Sequence, residues 1–189
     1  MVKPFVPLLL LALLVGSAPL FAQELDQKIL QSRTLFQGLS DDLQVQMWAA
    51  MSQGGPVAAI GTCNLNAGKV TEAASKQGVT LGRTSLKLRN PKNQPDPWER
   101  AMMEEFERQK ASGVALEKLE KGEFITQGGK KTFRYLKAIG TKPRCLACHG
   151  AVIAPEVEDK IKALYPNDLA RGYKEGDLRG AFTLIQVLE

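Results

Sequence analysis

Two cysteines separated by two residues and followed at once by a histidine constrain this chain more than any other feature of its sequence. They are Cys145, Cys148 and His149, and His149 is the only histidine among 189 residues. This spacing is the attachment signature of c-type haem. The two sulfurs reach two vinyl groups on one edge of a porphyrin, and the adjacent imidazole then coordinates the iron. The motif therefore predicts one covalently bound haem c, with His149 as an axial ligand.

Two other chemistries use the same residue types. One is a redox disulfide of the thioredoxin type between Cys145 and Cys148, since such pairs occur at helix starts, where the thiol pKa is lowered. It leaves the adjoining histidine without a role. The other is a zinc site, in which Cys63 would complete a set of three cysteines and one histidine. An adjacent cysteine and histidine rarely chelate one tetrahedral ion together, so haem is the favoured interpretation.

The N-terminal residues have the composition of a secretory signal. Lys3 supplies a positive charge, residues 5–15 are almost purely apolar, and Ala22 is a small residue suited to cleavage. We expect residues 1–22 to be a signal peptide and residues 23–189 to form an exported, periplasmic domain, since bacteria attach c-type haem in that compartment. A retained N-terminal anchor is the alternative. No later segment is long and apolar enough to span a membrane.

Composition and charge favour a packed globular domain that does not bind nucleic acid. Hydrophobic residues make up 44% of the chain and charged residues 24%, which favours a packed core over disorder. The formal net charge of +5 is spread over many short stretches without an arginine-rich run, so we expect no nucleic-acid surface.

Three cysteines are an odd number for an exported chain. Some thiol is therefore expected to be free, metal-bound or consumed by a cofactor.

The pattern of apolar residues predicts an α+β fold. Apolar residues at spacings of three and four indicate helices, and alternation with polar residues indicates strands. We expect the haem motif on a loop and the central hairpin to be half exposed. This order of elements suits a small antiparallel sheet flanked by helices. The predicted helices are residues 24–53, 57–76, 97–112 and 155–165, and the predicted strands are residues 79–88, 123–125, 131–139 and 180–188.

The second predicted helix carries a cysteine among apolar side chains. Val57, Ile60, Cys63 and Ala67 recur at steps of three or four and share one face. Cys63 is therefore expected to point toward the core, or toward something buried there. A buried cysteine without a partner is an equally common outcome.

These sequence patterns do not identify the ligand on the far side of the iron. With His149 used, a bis-histidine haem would need a ligand from another chain. A methionine opposite the histidine raises the reduction potential and suits electron carriage, whereas a thiolate lowers it. The candidates are water, no ligand, or one of the sulfur-bearing side chains Cys63, Met47, Met51, Met102 and Met103.

Charged residues beside the predicted strands admit two interpretations. Arg83 and Arg89 are suited to neutralising haem propionates, or they belong to a solvated strand face. Asp177 and Arg179 flank a glycine-rich turn and are expected to form a local ion pair. We expect no catalytic role for any of them.

Several segments, taken together and in order, resemble a known family. The chain resembles the bacterial c-type haem family with a PAS-like fold, formerly a domain of unknown function and related to periplasmic sensor domains of histidine kinases. The resemblance covers residues 25–189, nearly all of the expected mature chain. It is carried by the segments 60–64, 82–91, 95–99, 145–150 and 165–180.

The resemblance implies a PAS-like antiparallel sheet flanked by helices, with long helices at the N-terminus. In that family the motif histidine holds one face of the iron and a cysteine from an N-terminal helix holds the other. Cys63 stands at that position, so the resemblance favours His149 and Cys63 as the two metal ligands. It further implies a periplasmic protein that senses redox state or a small diatomic ligand through a low-potential haem, and informs a redox or signalling protein.

A small electron-transfer cytochrome is the alternative function. No output domain precedes Glu189, in contrast to the sensor kinases, and this counts against autonomous signalling. We do not expect an enzyme, because no second histidine is present as an acid–base group. Residues 24–53 are a candidate surface for a homodimer.

Overall fold

A computed structural model describes residues 18–76 and 78–188 of the chain. The predicted signal peptide, residues 1–22, lies outside the described residues up to residue 17, and its last five residues begin the first helix. The elements, in chain order, are α1 (Ala18–Ala74), β1 (Val79–Thr84), α2 (Pro97–Ala111), β2 (Glu120–Gln127), β3 (Lys130–Gly140), α3 (Leu146–His149), α4 (Pro155–Leu164) and β4 (Leu178–Val187).

Helix α1 consists of two arms, as the sequence predicts. Gly54 and Gly55 have non-helical backbone angles, and Gly55 has a φ of 65°, which favours glycine over any residue with a Cβ. Pro56, which has no N–H to donate, then opens the second arm. Leu43 from the first arm and Val70 from the second pack against the same core cluster. Within the described ranges, no helix has the length and apolarity needed to cross a membrane.

The four strands form one antiparallel sheet in the order β1-β4-β3-β2. The predicted α+β fold, with a small antiparallel sheet and a long N-terminal helix, is confirmed. Strand β1 ends at Thr84, so the prediction of a strand to residue 88 is wrong at its end. The cause is Ser85, whose single hydroxyl proton is shared between the carbonyls of Lys87, at 2.8 Å, and Arg179, at 2.9 Å. These bonds turn the chain away from the sheet.

Strand β3 is buried on both faces from residue 132 to residue 136, so the expectation of a half-exposed hairpin is wrong for this strand, whereas β2 is partly exposed along its length. One face, with Phe133 and Tyr135, packs under α1. The other face, with Leu136, packs under α2 against Met103. The strands β4 and β2 flank the two edges of β3, and the helices α1 and α2 cover its two faces. Its alternating sequence therefore marks two buried faces rather than one.

Glu120 joins the first arm of α1 to the sheet. Its carboxylate accepts hydrogen bonds from the Arg33 guanidinium and from the Tyr135 hydroxyl. The bonds from Arg33, and secondarily that from Tyr135, hold the pKa of Glu120 at about 2 against the cost of burial. This cluster fixes the first arm of α1 on the sheet.

We expect the Glu120→Gln variant to be less stable than the natural chain at pH 7 by about 1–2 kcal/mol, once solvent screening of the half-exposed Arg33 is allowed for. The depressed pKa means that the contribution of Glu120 is complete above pH 4.5 and is lost as the pH falls toward 2. Urea unfolding at pH 7 and pH 3 measures the effect, and the gap between the two chains should narrow at pH 3. A gap that is equal at both values would contradict the ion pair.

Candidate functional site

Three chain segments meet at one end of the sheet. Since β4 is antiparallel to both β1 and β3, the ends of β1 and β3 lie beside the start of β4. The segments that leave these ends are joined by backbone hydrogen bonds. The amide of Leu169 donates to the Leu88 carbonyl at 2.7 Å, and that of Gly172 donates to the Gly150 carbonyl at 3.0 Å. The haem motif lies within this junction.

The motif itself is helical, so the expectation of a loop is wrong. A 3-10 turn, Pro143–Cys145, leads directly into α3. The amide of Gly150 closes the turn by donating to the Leu146 carbonyl at 2.8 Å. A Cβ at position 150 would lie 2.6 Å from that oxygen, so the turn requires glycine there. Cys145 and Cys148 are both free thiols three residues apart, Cys145 at the N-cap of α3 and Cys148 within it.

His149 is held as a neutral imidazole with one nitrogen available. Its Nδ1 lies 2.8 Å from the carbonyl oxygen of Ala170, and a carbonyl only accepts, so Nδ1 carries the proton. Burial, with help from Arg179 and Arg89, lowers the pKa of His149 to about 3. The lone pair of Nε2 is therefore free to bind a metal ion at neutral pH. Tyr173 packs edge-on against the imidazole, with ring centres 6.2 Å apart.

The second arm of α1 reaches the motif through an apolar cluster. Ile60 packs with Val157 and Ile161 of α4, and Cys148 packs against the same cluster. Cys63 follows Ile60 by three residues, so it lies one turn further along the arm. The structure thus brings the helix that carries Cys63 to the motif.

Cys63 is exposed, so the expectation that its side chain is buried with its apolar neighbours is wrong. Ile60 and Ala67, on either side of it along the same face, are buried. Partial desolvation by the surrounding chain raises the pKa of the Cys63 thiol, and the positive charges of Arg83 and Arg89 oppose that rise. The thiol therefore lies at an open edge of the site, within reach of two arginines.

Two of the candidate methionines lie away from the motif. Met103 is fully buried on the inner face of α2, where it packs with Phe106, Leu119 and Leu136. Met102 packs against the same cluster. Packing on the α2 face accounts for both side chains.

Met47 and Met51 stay as alternatives to Cys63. Both are half-buried on the first arm of α1. That arm contacts the motif, since the Arg144 guanidinium donates to the side chain of Gln44 at 2.5 Å and lies 5.3 Å from the ring centre of Trp48. Among the described residues, Cys63 and these two methionines are the sulfur-bearing candidates on an α1 arm that contacts the motif or its flanking residue Arg144.

Arginines surround the site, and most of them are shielded from solvent. Burial lowers the pKa of Arg83 and of Arg179. The Nε of Arg179 is buried and has no hydrogen-bond partner among the described residues, while its Nη1 donates to Ser85 at 2.9 Å. The interpretation of Arg83 and Arg89 as a solvated strand face is therefore wrong. Arg83 is shielded by burial, and Arg89 pairs with Asp168 at 3.0 Å.

The predicted ion pair between Asp177 and Arg179 is wrong. Asp177 instead binds Lys110 of α2 at 3.1 Å and accepts from the amide of Lys174 at 2.8 Å. Asp177 precedes β4, whereas Arg179 is its second residue. The Arg179 guanidinium approaches Tyr173, 5.4 Å from its ring centre, and donates to Ser85 at 2.9 Å.

Three residues around His149 are not marked by any sequence pattern, namely Asp168, Ala170 and Tyr173. Their only signal was membership of the segment 165–180 in the resemblance. Their contacts with the motif arise from the meeting of distant segments, which neither spacing nor composition marks.

Within the described part of the chain, no group of three or more histidine, cysteine, aspartate or glutamate side chains is arranged to hold a metal ion. These residues therefore give the zinc alternative no assembled set of ligands. The pair of His149 and a sulfur ligand is a different arrangement, since a porphyrin supplies the remaining donors itself.

Comparison with known proteins decides the family. The family model described as Tll0287-like matches residues 21–186, which include Cys63 and the whole motif. The chain belongs to the Tll0287-like family. The crystal structure of the cyanobacterial heme-protein Tll0287 shares the fold, with a TM-score of 0.61 at 22% identity over 86% of this chain and 96% of that chain. No curated protein matches this Tll0287-like chain significantly.

Proposed function

We propose that the chain carries one haem c, bound through thioethers at Cys145 and Cys148, with His149 and Cys63 as axial ligands. The observation that carries the proposal is the state of His149, a buried neutral imidazole whose Nδ1 is fixed by Ala170 and whose Nε2 is free. Two free thiols on the same helical turn supply the attachment points. The similarity to a cyanobacterial heme-protein supports the same conclusion.

The surrounding residues fit such a group. The propionates of a haem need positive partners, and Arg83 and Arg179 are two shielded cations, one with a buried unpartnered Nε. When bound, the haem supplies a one-electron iron couple, and thiolate ligation opposite histidine lowers its potential. His149 binds and orients, Cys63 sets the electron density, and the arginines balance charge.

The function we propose is sensing of redox state or of a small diatomic ligand in the periplasm or another exported compartment. The two proposed axial ligands lie on different elements, His149 on α3 and Cys63 on the second arm of α1. A change in the Cys63 bond would therefore act on α1, which also covers the sheet and is interrupted at Gly54. A redox or signalling protein would read that change. We propose no catalysed reaction.

A small electron-transfer cytochrome is the second candidate. Two exposed apolar side chains favour it. Val152, 90% exposed, follows the motif in sequence, and Leu169, 63% exposed, lies in the junction of segments around it. Exposed apolar groups beside a redox centre suit brief docking of a partner protein. The two functions differ in the ligand opposite His149 and in the reduction potential.

Replacing Cys63 by serine is expected to change the ferric absorption spectrum and to raise the reduction potential, because a hydroxyl donates less electron density than a thiolate. Absorption spectra of the oxidised and reduced protein, with a redox titration, measure both. Met47→Leu and Met51→Leu are the matched controls, since both methionines lie on the α1 arm beside the motif.

An unchanged spectrum in Cys63→Ser, with a changed one in either methionine variant, would remove Cys63 from the iron. A wild-type potential well above zero together with a methionine-type absorption band would overturn the sensing proposal in favour of electron transfer.

A further inference from the structure

Arg89 contacts both the motif and the segment that holds its histidine. Its Nη2 lies 2.6 Å from the carbonyl oxygen of Cys148, and its Nε and Nη2 donate to both carboxylate oxygens of Asp168, at 3.0 and 3.1 Å. The two side chains are 11% and 1% exposed. This is a forked, shielded ion pair, the geometry in which arginine positions a partner most firmly.

The same pair also fixes the group that holds the histidine. Asp168 accepts from the amide of Ala170 at 3.1 Å, and Arg89 lies 3.4 Å from the Ala170 carbonyl oxygen. That oxygen is the acceptor for Nδ1 of His149 at 2.8 Å. The backbone of Ala170 is thus held at its amide by Asp168 and approached at its carbonyl by Arg89, while that carbonyl orients the imidazole.

We propose that Arg89 and Asp168 are positioning residues that hold the proposed axial ligand His149 and set the redox poise of the iron it binds. The inference rests on the haem proposal above. Arg89 joins Cys148, one attachment point, to Ala170, the partner of His149, so that attachment and ligation share one rigid support. Neither residue touches the iron, and both act through their hydrogen-bonded neighbours.

The two members of the pair act on the iron with opposite sign. Ferric iron carries one more positive charge than ferrous iron, so a nearby cation favours reduction and a nearby anion favours oxidation. In a shielded site with an effective dielectric constant of about 20, a unit charge at roughly 10 Å changes the ratio of oxidised to reduced protein on the order of tenfold. Removing Arg89 should lower the potential, and neutralising Asp168 should raise it.

The test uses the full haem-loaded chain and four variants, namely Arg89→Gln, Arg89→Lys, Asp168→Asn and Arg171→Gln. Arg171 is the matched control, because it also binds Asp168, at 2.9 Å, but makes no hydrogen bond to Cys148 or Ala170. Redox titration and the ferric spectrum are the measurements. We expect an approximately tenfold shift toward the oxidised form in Arg89→Gln and a shift the opposite way in Asp168→Asn.

Arg89→Lys keeps the charge but loses the fork, so its potential should stay near that of the natural chain while its ferric spectrum becomes mixed. This variant and Asp168→Asn carry the test if Arg89→Gln does not fold. Shifts of the same sign in Arg89→Gln and Asp168→Asn, or shifts no larger than in Arg171→Gln, overturn the inference. A natural chain that attaches no haem overturns the proposed function instead, and this is visible before any variant is compared.

Discussion

The chain in which Cys145 and Cys148 are both alanine is expected to show no haem staining after denaturing electrophoresis, while the natural chain stains fully. Only thioether bonds survive denaturation, and these two thiols are the ones that share a helical turn with His149. Expression in a host that matures c-type haem in its periplasm, followed by peroxidase staining of the gel, makes the measurement.

Cys63→Ala is the matched control for this loss. It removes the remaining cysteine without touching the attachment pair, so covalent staining should persist even though the absorption spectrum changes. The single variants Cys145→Ala and Cys148→Ala should each keep a weaker stain through the one remaining thioether. Full staining of the double variant would contradict attachment at this motif.

The fold was predictable where local chemistry decides it. The break between the arms of α1 follows from Gly54 and Gly55, which weaken a helix, and from Pro56, which has no N–H to continue its hydrogen bonds. The start of α2 likewise follows from Asp96 and Glu99, whose side chains cap each other's backbone amides. Errors arose where distant contacts decide. Strand β1 ends early because of a bond across the sheet, and β3 is covered on both faces because two helices pack there.

Sequence spacing marks the proposed donors of the site but not the residues that support them. Cys145 and His149 are marked by spacing alone, since the attachment signature is local in sequence. The exposure of Cys63 depends on what packs around the second arm of α1, and helical periodicity does not report that. Asp168 supports the motif from a segment about twenty residues away, through Ala170 and Arg89. Such tertiary contacts have no signature in a single sequence.

Arg134 is a charged residue of β3 that is buried because helices cover both faces of the strand. Its side chain is 2% exposed, and its Nη2 lies 2.7 Å from a carboxylate oxygen of Asp96 and 3.4 Å from one of Glu99. The guanidinium also lies 4.5 Å from the ring centre of Trp98. Glu99 is buried too, and it accepts a hydrogen bond from Thr183 of β4 at 2.6 Å. The start of α2 is thus fastened to the sheet by shielded charges.

Replacing Arg134 by alanine is expected to lower the free energy of unfolding by about 3–5 kcal/mol, because it leaves the Glu99 carboxylate buried without a charged partner. Urea unfolding of the full chain measures the loss. Arg108→Ala is the matched control on α2. Its ion pair with Glu105 spans one helical turn, and its side chain is 67% exposed, so water replaces the partner and little stability should be lost.

Glu99→Gln, added to an Arg134→Met variant, separates lost charge balance from lost packing. Methionine fills much of the volume beside Trp98, so Arg134→Met mainly leaves the Glu99 charge uncompensated. Glutamine removes that charge and still accepts from the Asp96 amide, which keeps the helix cap. The double variant should therefore recover most of the stability that Arg134→Met loses. If both variants are equally unstable, the cost comes from packing, and the buried charges are not what joins α2 to β3.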